Sequence, residues 1–173
     1  MVFKTKKIGI LGGSFDPAHI GHLAISKEAI KRFKLQKVIW AITEKNPLKK
    51  KSITNLKLRI KSCRRIIKKN KLINVKFYEK IIKSNRTIDL INYISKNKKI
   101  ELYFLMGADN LINFHRWYKW KSISQKCIIL VFDRHRYKKK SLNSKTFKSI
   151  DNRRIKFIKF NKVNISSSKL RKI

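Results

Sequence analysis

Six strand-length apolar runs, separated by segments of helical period, set the narrowest limit on how this chain can fold. The runs are KIGIL (7–11), KVIWAI (37–42), INVKFY (73–78), IELYFLMG (100–107), CIILVF (127–132) and RIKFIKF (154–160). After the first, ending at Gly12, Ile20, Leu23, Ala24, Ile30 and Phe33 recur at helical spacing over about 20–33. After the second comes a polar, basic loop, 43–52, containing Pro47; then Leu56, Ile60, Cys63 and Ile67 follow at i, i+4, i+7 and i+11. Leu90, Ile91 and Ile94 mark a third helix over 87–95, and a further helical stretch separates the fourth and fifth strands. Strands alternating with helices predict an α/β protein: a doubly wound, mostly parallel sheet with helices on both faces. In such sheets ligands bind beyond the carboxyl ends of the strands, near the switch in strand order. No internal repeat and no boundary interrupts the pattern, so a single domain over 1–173 is expected. Arg134–Lys145 is expected to be a solvated basic loop, and the last residues, NISSSKLRKI, to begin a short helix.

Composition removes several classes of function. With 173 residues and 42% hydrophobic side chains, the chain can build one ordinary core. Its longest apolar run, Cys127–Phe132, is too short to span a bilayer. The opening MVFKTKKIGILGGSFD mimics a signal peptide, but Gly12, Gly13 and Asp16 cut its apolar part short, so export is not expected. Cys63 and Cys127 lie far apart in apolar contexts, which predicts buried free thiols and a cytoplasmic location. Lys and Arg number 46 against 9 acidic residues, a net charge of +37 that would attract any polyphosphate. These cations are spread through every segment among many Ile and Asn, as an AT-rich coding sequence would give. No RNA-binding motif with spaced aromatics appears, so no specific nucleic-acid partner and no membrane is expected. Nothing in the sequence specifies an oligomeric state.

The rarer residues concentrate at GGSFDPAHIGH, 12–22. Gly12 and Gly13 follow the first strand directly, where glycine permits a sharp turn and close approach of a ligand. A helix starts near His19 or Ile20, and its unpaired N–H groups suit a phosphate. His19 and His22 fall on one helical face and can both donate to one phosphoryl group, stabilising charge without a covalent intermediate. A zinc pair would need further ligands, and His115 and His135 lie elsewhere in the chain. The Gly-Lys-Ser/Thr ending of a Walker loop is missing.

GSFDPAHIGH resembles the signature of nucleotidyltransferases with an H-x-G-H motif. Five further stretches resemble one family within that group, the bacterial nicotinate-nucleotide adenylyltransferases, over Lys7 to Arg171. ISSSKLR (165–171) resembles I-S-S-T-x-I-R, with Ser168 for Thr and Leu170 for Ile. LMGADNLINFHRWYKW (105–120) resembles G-x-D-x-x-x-x-F-x-x-W, and KNPLKK (45–50) the loop after strand two. SNRTIDL (84–90) resembles S-x-Y-T-x-D/Q-T with Arg86 for Tyr; VFDRHRY (131–137) resembles D-R-P-G-Y with His135 and Arg136 for Pro-Gly. HIGH also occurs in class I aminoacyl-tRNA synthetases, which are much longer, and pantetheine-phosphate adenylyltransferases have Thr where His19 stands.

The resemblance implies a Rossmann-like fold and an adenylyltransferase that joins ATP and nicotinate mononucleotide into nicotinate adenine dinucleotide, releasing pyrophosphate, with Mg²⁺ arriving on the nucleotide. It implies His19 and His22 at the α-phosphate and backbone N–H groups of Gly13, Ser14 and Phe15 near the phosphates. Gly107 and Asp109 would face the ATP nucleoside and Arg134 would contact ATP. Ser167, Ser168 and Arg171 would hold the leaving pyrophosphate. Asn46 and Lys49, with Lys50 and Lys51 adjacent, would approach the mononucleotide phosphate, and Trp117 would stack on the pyridine ring. Trp120 and Phe114 are expected to be packing residues. Backbone N–H groups around Thr87 would receive the nicotinate carboxylate; Arg86 either pairs with that carboxylate or points to solvent. Asp16, the nearest carboxylate, would meet the cation or brace the turn. The alternatives are the same fold acting on nicotinamide mononucleotide, pantetheine phosphate or a cytidylyl donor, and a non-catalytic basic RNA-binding protein.

Overall fold

The computed structural model describes residues 5–45, 52–68, 70–96, 99–134 and 136–160. Six strands form one sheet: β1 (Lys6–Gly13), β2 (Lys37–Ile42), β3 (Ile73–Lys76), β4 (Ile100–Gly107), β5 (Cys127–Phe132) and β6 (Ile155–Ile158). Their order is β3-β2-β1-β4-β5-β6. Every pairing is parallel, with Ile10 opposite both Ile39 and Phe104. The chain therefore builds outward from β1 in one direction, returns, and builds outward from β4 in the other. The carboxyl ends of β1 and β4 lie side by side where the direction reverses, the place where such sheets bind ligands.

Parallel strands covered on both faces become continuous apolar runs, and this accounts for the sequence pattern. One face of the sheet, including Ile10, Phe104 and Ile129, packs with Ile88, Leu111, Phe114 and Ile123. The other, including Leu11, Trp40 and Leu130, packs with Ala29 and Cys63 of the helices α1 (Ile20–Phe33) and α2 (Leu56–Ile67). Gly9 lets β1 sit this close: a Cβ there would lie 2.9 Å from Val38 Cγ2 and 3.0 Å from Leu35 Cδ1. Cys63 and Cys127 are free and buried, and burial pushes both thiols up to about 12, so neither is a ready nucleophile.

Several local expectations need correction. Ile20 opens α1 but is 56% exposed, so it does not belong to the apolar stripe. The third and sixth strands are shorter than their apolar runs. A short helix, α3 (Glu79–Ile82), precedes α4 (Thr87–Ile94). The stretch between β4 and β5 divides into α5 (Ala108–Ile112), a 3-10 turn (Phe114–Arg116) and α6 (Trp120–Lys126). The basic segment after β5 is not a solvated loop: it contains α7 (Lys138–Leu142) and is followed by α8 (Lys145–Ser149). Its lysines face outward while a few hydroxyls turn inward. Ser141 Oγ donates to Lys138 O at 2.8 Å, and Thr146 Oγ1 accepts from His115 N at 3.2 Å, tying α8 to the 3-10 turn. The short helix expected within 164–173 lies outside the described residues. Among the described residues, no helix is long and apolar enough to cross a membrane.

Candidate active site

The end of β1 opens where the rest of the strand is closed. Ile8 to Leu11 are buried, whereas Gly12 is exposed and Gly13 half-buried. Neither glycine makes the sharp turn: no glycine has positive φ among the described residues, and the left-handed residue is Phe15, at φ 49°. That backbone costs a non-glycine residue roughly 1–2 kcal/mol, and burying a phenyl ring returns about 2–3 kcal/mol. Phe15 is 2% exposed, stacked on Trp40 at 5.0 Å and 15°, so burial wins. A Cβ on Gly12 would make only an ordinary 3.6 Å contact with Phe104, so internal packing does not demand the glycine. What its bare backbone preserves is approach from outside.

His19 is the N-cap of α1, and His22 is its third residue. The two rings lie 3.8 Å apart at 30°. The His19 N–H donates to His22 Nδ1 at 3.2 Å, and the His22 N–H donates to His19 O at 3.0 Å. Because Nδ1 of His22 accepts, its neutral ring carries the proton on Nε2, the atom at the far edge. Phe15 packs against the same ring at 4.8 Å and Trp40 at 5.8 Å, fixing its rotamer. Trp40 is itself held by Nε1–H donating to Ser26 Oγ at 2.9 Å, and Ser26 donates to His22 O at 2.8 Å.

Burial first, and then the Arg134 charge, lowers the His19 pKa from 6.5 to about 4. His19 is therefore neutral near pH 7, and its buried Nδ1 has no partner among the described residues. In the ligand-free protein the His19 ring signal is expected to titrate near pH 4, and Arg134→Met to move it upward, as NMR can read. The sign for stability follows. As pH falls below 6.5, the unfolded imidazole takes its proton first, so folding stability is whole above 6.5 and drains between 6.5 and 4. His19→Asn should flatten that part of the Tm profile.

The end of β4 supplies the facing group. Asp109 Oδ2 accepts from Arg134 Nη1 at 2.5 Å, joining the residues just past β4 to those just past β5. Asp109 Oδ1 is buried without a partner among the described residues. A Cβ on Gly107 would lie 2.5 Å from that oxygen, so the glycine reserves the carboxylate's place. Since Arg134 also acts on His19, the structure gathers His19, His22, Asp109 and Arg134 across the switch point.

The remaining expected residues form a second group. Trp117 stands edge-on to Phe114 at 5.2 Å and to Phe104 at 5.9 Å, half-buried at the rim of the core. Phe114 is fully buried, and Trp120 packs on it at 6.1 Å. Arg86 is exposed, with its guanidinium 4.1 Å over the ring of Tyr118, the neighbour of Trp117. Thr87 opens α4, with Arg86 as N-cap, and Ser84 Oγ binds Asp89 Oδ2 at 2.7 Å beneath them. Asn46, Lys49, Lys50, Lys51, His135, Ser167, Ser168 and Arg171 lie outside the described residues.

Besides Asp16, expected to meet the cation or brace the turn, two anchoring residues were not singled out by sequence, Glu79 and Arg59. Asp16, 3% exposed, accepts from the Ile53 N–H at 2.7 Å and so braces the neighbouring loop. Glu79 accepts from the Glu44 N–H at 3.2 Å and from the Thr43 hydroxyl. Arg59 is 2% exposed and, among the described residues, donates to four backbone carbonyls. A signal for it existed: position 59 falls on the stripe of Leu56, Ile60 and Cys63, where a charge is out of place.

Comparison with known proteins shows what the whole chain is similar to. The family model described as "Cytidylyltransferase-like" matches residues 10–173. A Pelagibacter ubique protein named "Probable nicotinate-nucleotide adenylyltransferase" is 64% identical over 98% of this chain and 94% of its own length. One of the same name from Agrobacterium fabrum is 37% identical over 73% of this chain and 68% of its own. The solved structure of the Plasmodium falciparum nicotinic acid mononucleotide adenylyltransferase complexed with NaAD superposes with a TM-score of 0.76 at 23% identity. It covers 96% of this chain and 83% of that one, and shows the shared fold.

Proposed function

The chain belongs to the cytidylyltransferase-like family and, within it, to the nicotinate-nucleotide adenylyltransferases, and on that premise we propose that it adenylylates nicotinate mononucleotide in the cytoplasm as one domain. The mononucleotide phosphate attacks the α-phosphorus of ATP, and the bond to the β-phosphate breaks in line. The products are nicotinate adenine dinucleotide and pyrophosphate. The nucleophile is already an anion, so the protein's task is alignment and charge stabilisation rather than proton removal.

One observation carries this reading: two imidazoles, one of them neutral, sit at a helix N-terminus across the sheet switch from a carboxylate held by an arginine. His19 and His22 would donate to the α-phosphate, and the backbone of Gly13, Ser14 and Phe15 would face the phosphates. Asp109, in the place Gly107 keeps for it, suits the ribose hydroxyls, and Arg134 lies beside it for ATP. Ser167, Ser168 and Arg171 would take the pyrophosphate. Asn46 and Lys49 would meet the mononucleotide phosphate. Trp117 offers a flat face to the pyridine ring, Thr87 backbone N–H groups to its carboxylate, and Arg86, over Tyr118, a cation on the same side. Among the described residues no three His, Cys, Asp or Glu side chains are grouped to hold a metal ion. Mg²⁺ is expected to arrive as part of the ATP substrate, held on phosphate oxygens and water.

The test is pyrophosphate release from ATP with each mononucleotide supplied separately. Release with nicotinate mononucleotide at least about tenfold faster in kcat/KM than with the nicotinamide form is expected, from one charge-assisted contact to the carboxylate. Equal rates, or a preference for the amide, would overturn the acid specificity.

A further inference from the structure

We infer that Arg59 is a positioning residue that sets the peptide planes of the phosphate-binding loop and leaves an uncancelled positive charge beneath it. The inference deepens the reaction proposed above and rests on it. Arg59 lies on α2, yet its guanidinium reaches three separate stretches of backbone. Its Nε donates to Thr54 O at 3.0 Å. Nη1 donates to Ser14 O at 2.6 Å and to Thr43 O at 2.7 Å, and Nη2 to Glu44 O at 3.1 Å. One side chain thereby fastens the turn after β1 to both ends of the loop that follows β2. Asp16 repeats the tie from the other side by accepting from Ile53 N–H.

The Ser14 contact has a directional consequence. A trans peptide points its C=O and the next N–H in opposite directions. With Ser14 O drawn inward to Arg59, the Phe15 N–H must point away from the guanidinium, out of the protein side of the loop. Among the described residues that N–H donates to none. Phe15 is also the residue held at φ 49°, with its ring locked under Trp40 and His22, so the plane is fixed from both flanks. The outcome is a prepaid donor beside the imidazoles, one that needs no reorganisation when an anion arrives.

The charge matters as well. Arg59 appears in no ion pair among the described residues; carbonyls satisfy its N–H groups but do not neutralise it. A buried guanidinium without a carboxylate is expensive in most settings. Here the compensation would come from a polyanion bound on the far side of the Ser14–Phe15 peptide. Lysine could not replace it, because a point ammonium cannot reach four carbonyls arranged around a planar fork.

ATP binding, measured by calorimetry with no mononucleotide present, reads this directly. Arg59→Lys is expected to weaken ATP about tenfold, the worth of one charge-assisted contact. Adenosine, which has no phosphate, should bind the variant as it binds the parent. In the unaltered protein, saturating ATP should slow hydrogen exchange at the Phe15 amide. Unchanged ATP affinity in the variant, or equal weakening of ATP and adenosine, would overturn the assignment. Should Arg59→Lys not fold, the Phe15 measurement decides: exchange unaffected by ATP removes the oriented donor. If nicotinate mononucleotide is not turned over while these ATP effects hold, the proposed reaction fails and Arg59 keeps its role.

Discussion

His22→Ala is expected to lower kcat at least about a hundredfold, the usual loss when a preorganised donor at the reacting phosphate is removed. Stability should change little by comparison. Among the described residues the ring accepts a hydrogen bond from the His19 N–H, and such a cap contributes about 1 kcal/mol. In a chain of 173 residues that corresponds to a Tm lower by roughly 2–4 °C. His22→Asn separates the two effects. Its carboxamide oxygen can still accept from the His19 N–H, but it is too short to put a donor where Nε2 stands. The asparagine variant should therefore recover stability and stay nearly as inactive as alanine. Turnover close to that of the unaltered protein in either variant would remove His22 from the chemistry.

How much of this was legible beforehand depends on the range of the interaction. Strands β2, β4 and β5 were readable to the residue and helices α1 and α2 by their period, because period and burial are local and both faces of a parallel sheet demand apolar side chains. His19 at the helix start was readable for the same reason. The helices α7 and α8 were not, since lysines dominate the segment and its buried side chains are the hydroxyls Ser141, Ser144 and Thr146, with Phe147 alone among its aromatics packed on the core. Three small hydroxyls carry almost no hydropathy signal against so many cations. The turn after β1 was misassigned because glycine usually takes the left-handed conformation, whereas here Phe15 takes it to reach Trp40. Trp40 lies on another strand, and nothing near Phe15 in sequence announces it. The four carbonyls around Arg59 come from residues 5 to 45 positions away, so its partners existed only after folding.

Gly107 gives the sharpest test of whether the facing carboxylate matters. Its φ of −78° is open to any residue, so conformational freedom does not explain the glycine. Space does. A methyl group there would stand 2.5 Å from Asp109 Oδ1, so the carboxylate that Arg134 holds through Oδ2 has to shift. Gly107→Ala is expected to turn the carboxylate from its place and disturb its pair with Arg134. The pair is partly exposed, with side chains 29% and 24% accessible, so its loss should cost stability about 1 kcal/mol or less. The effect on ATP should be larger, because a carboxylate aimed at ribose is lost along with the neighbouring cation's fixed position. A fall in kcat/KM for ATP of about thirtyfold is expected, corresponding to about 2 kcal/mol for a charge-assisted hydrogen bond. Asp109→Ala should lose a similar amount. The double variant decides between a shared and a separate cause. If Gly107 acts only by reserving the carboxylate's place, adding its substitution to Asp109→Ala changes nothing further, since the methyl then meets no oxygen. Losses that multiply in the double variant would show that Gly107 serves ATP by another route, and the coupling drawn between these two residues would be wrong.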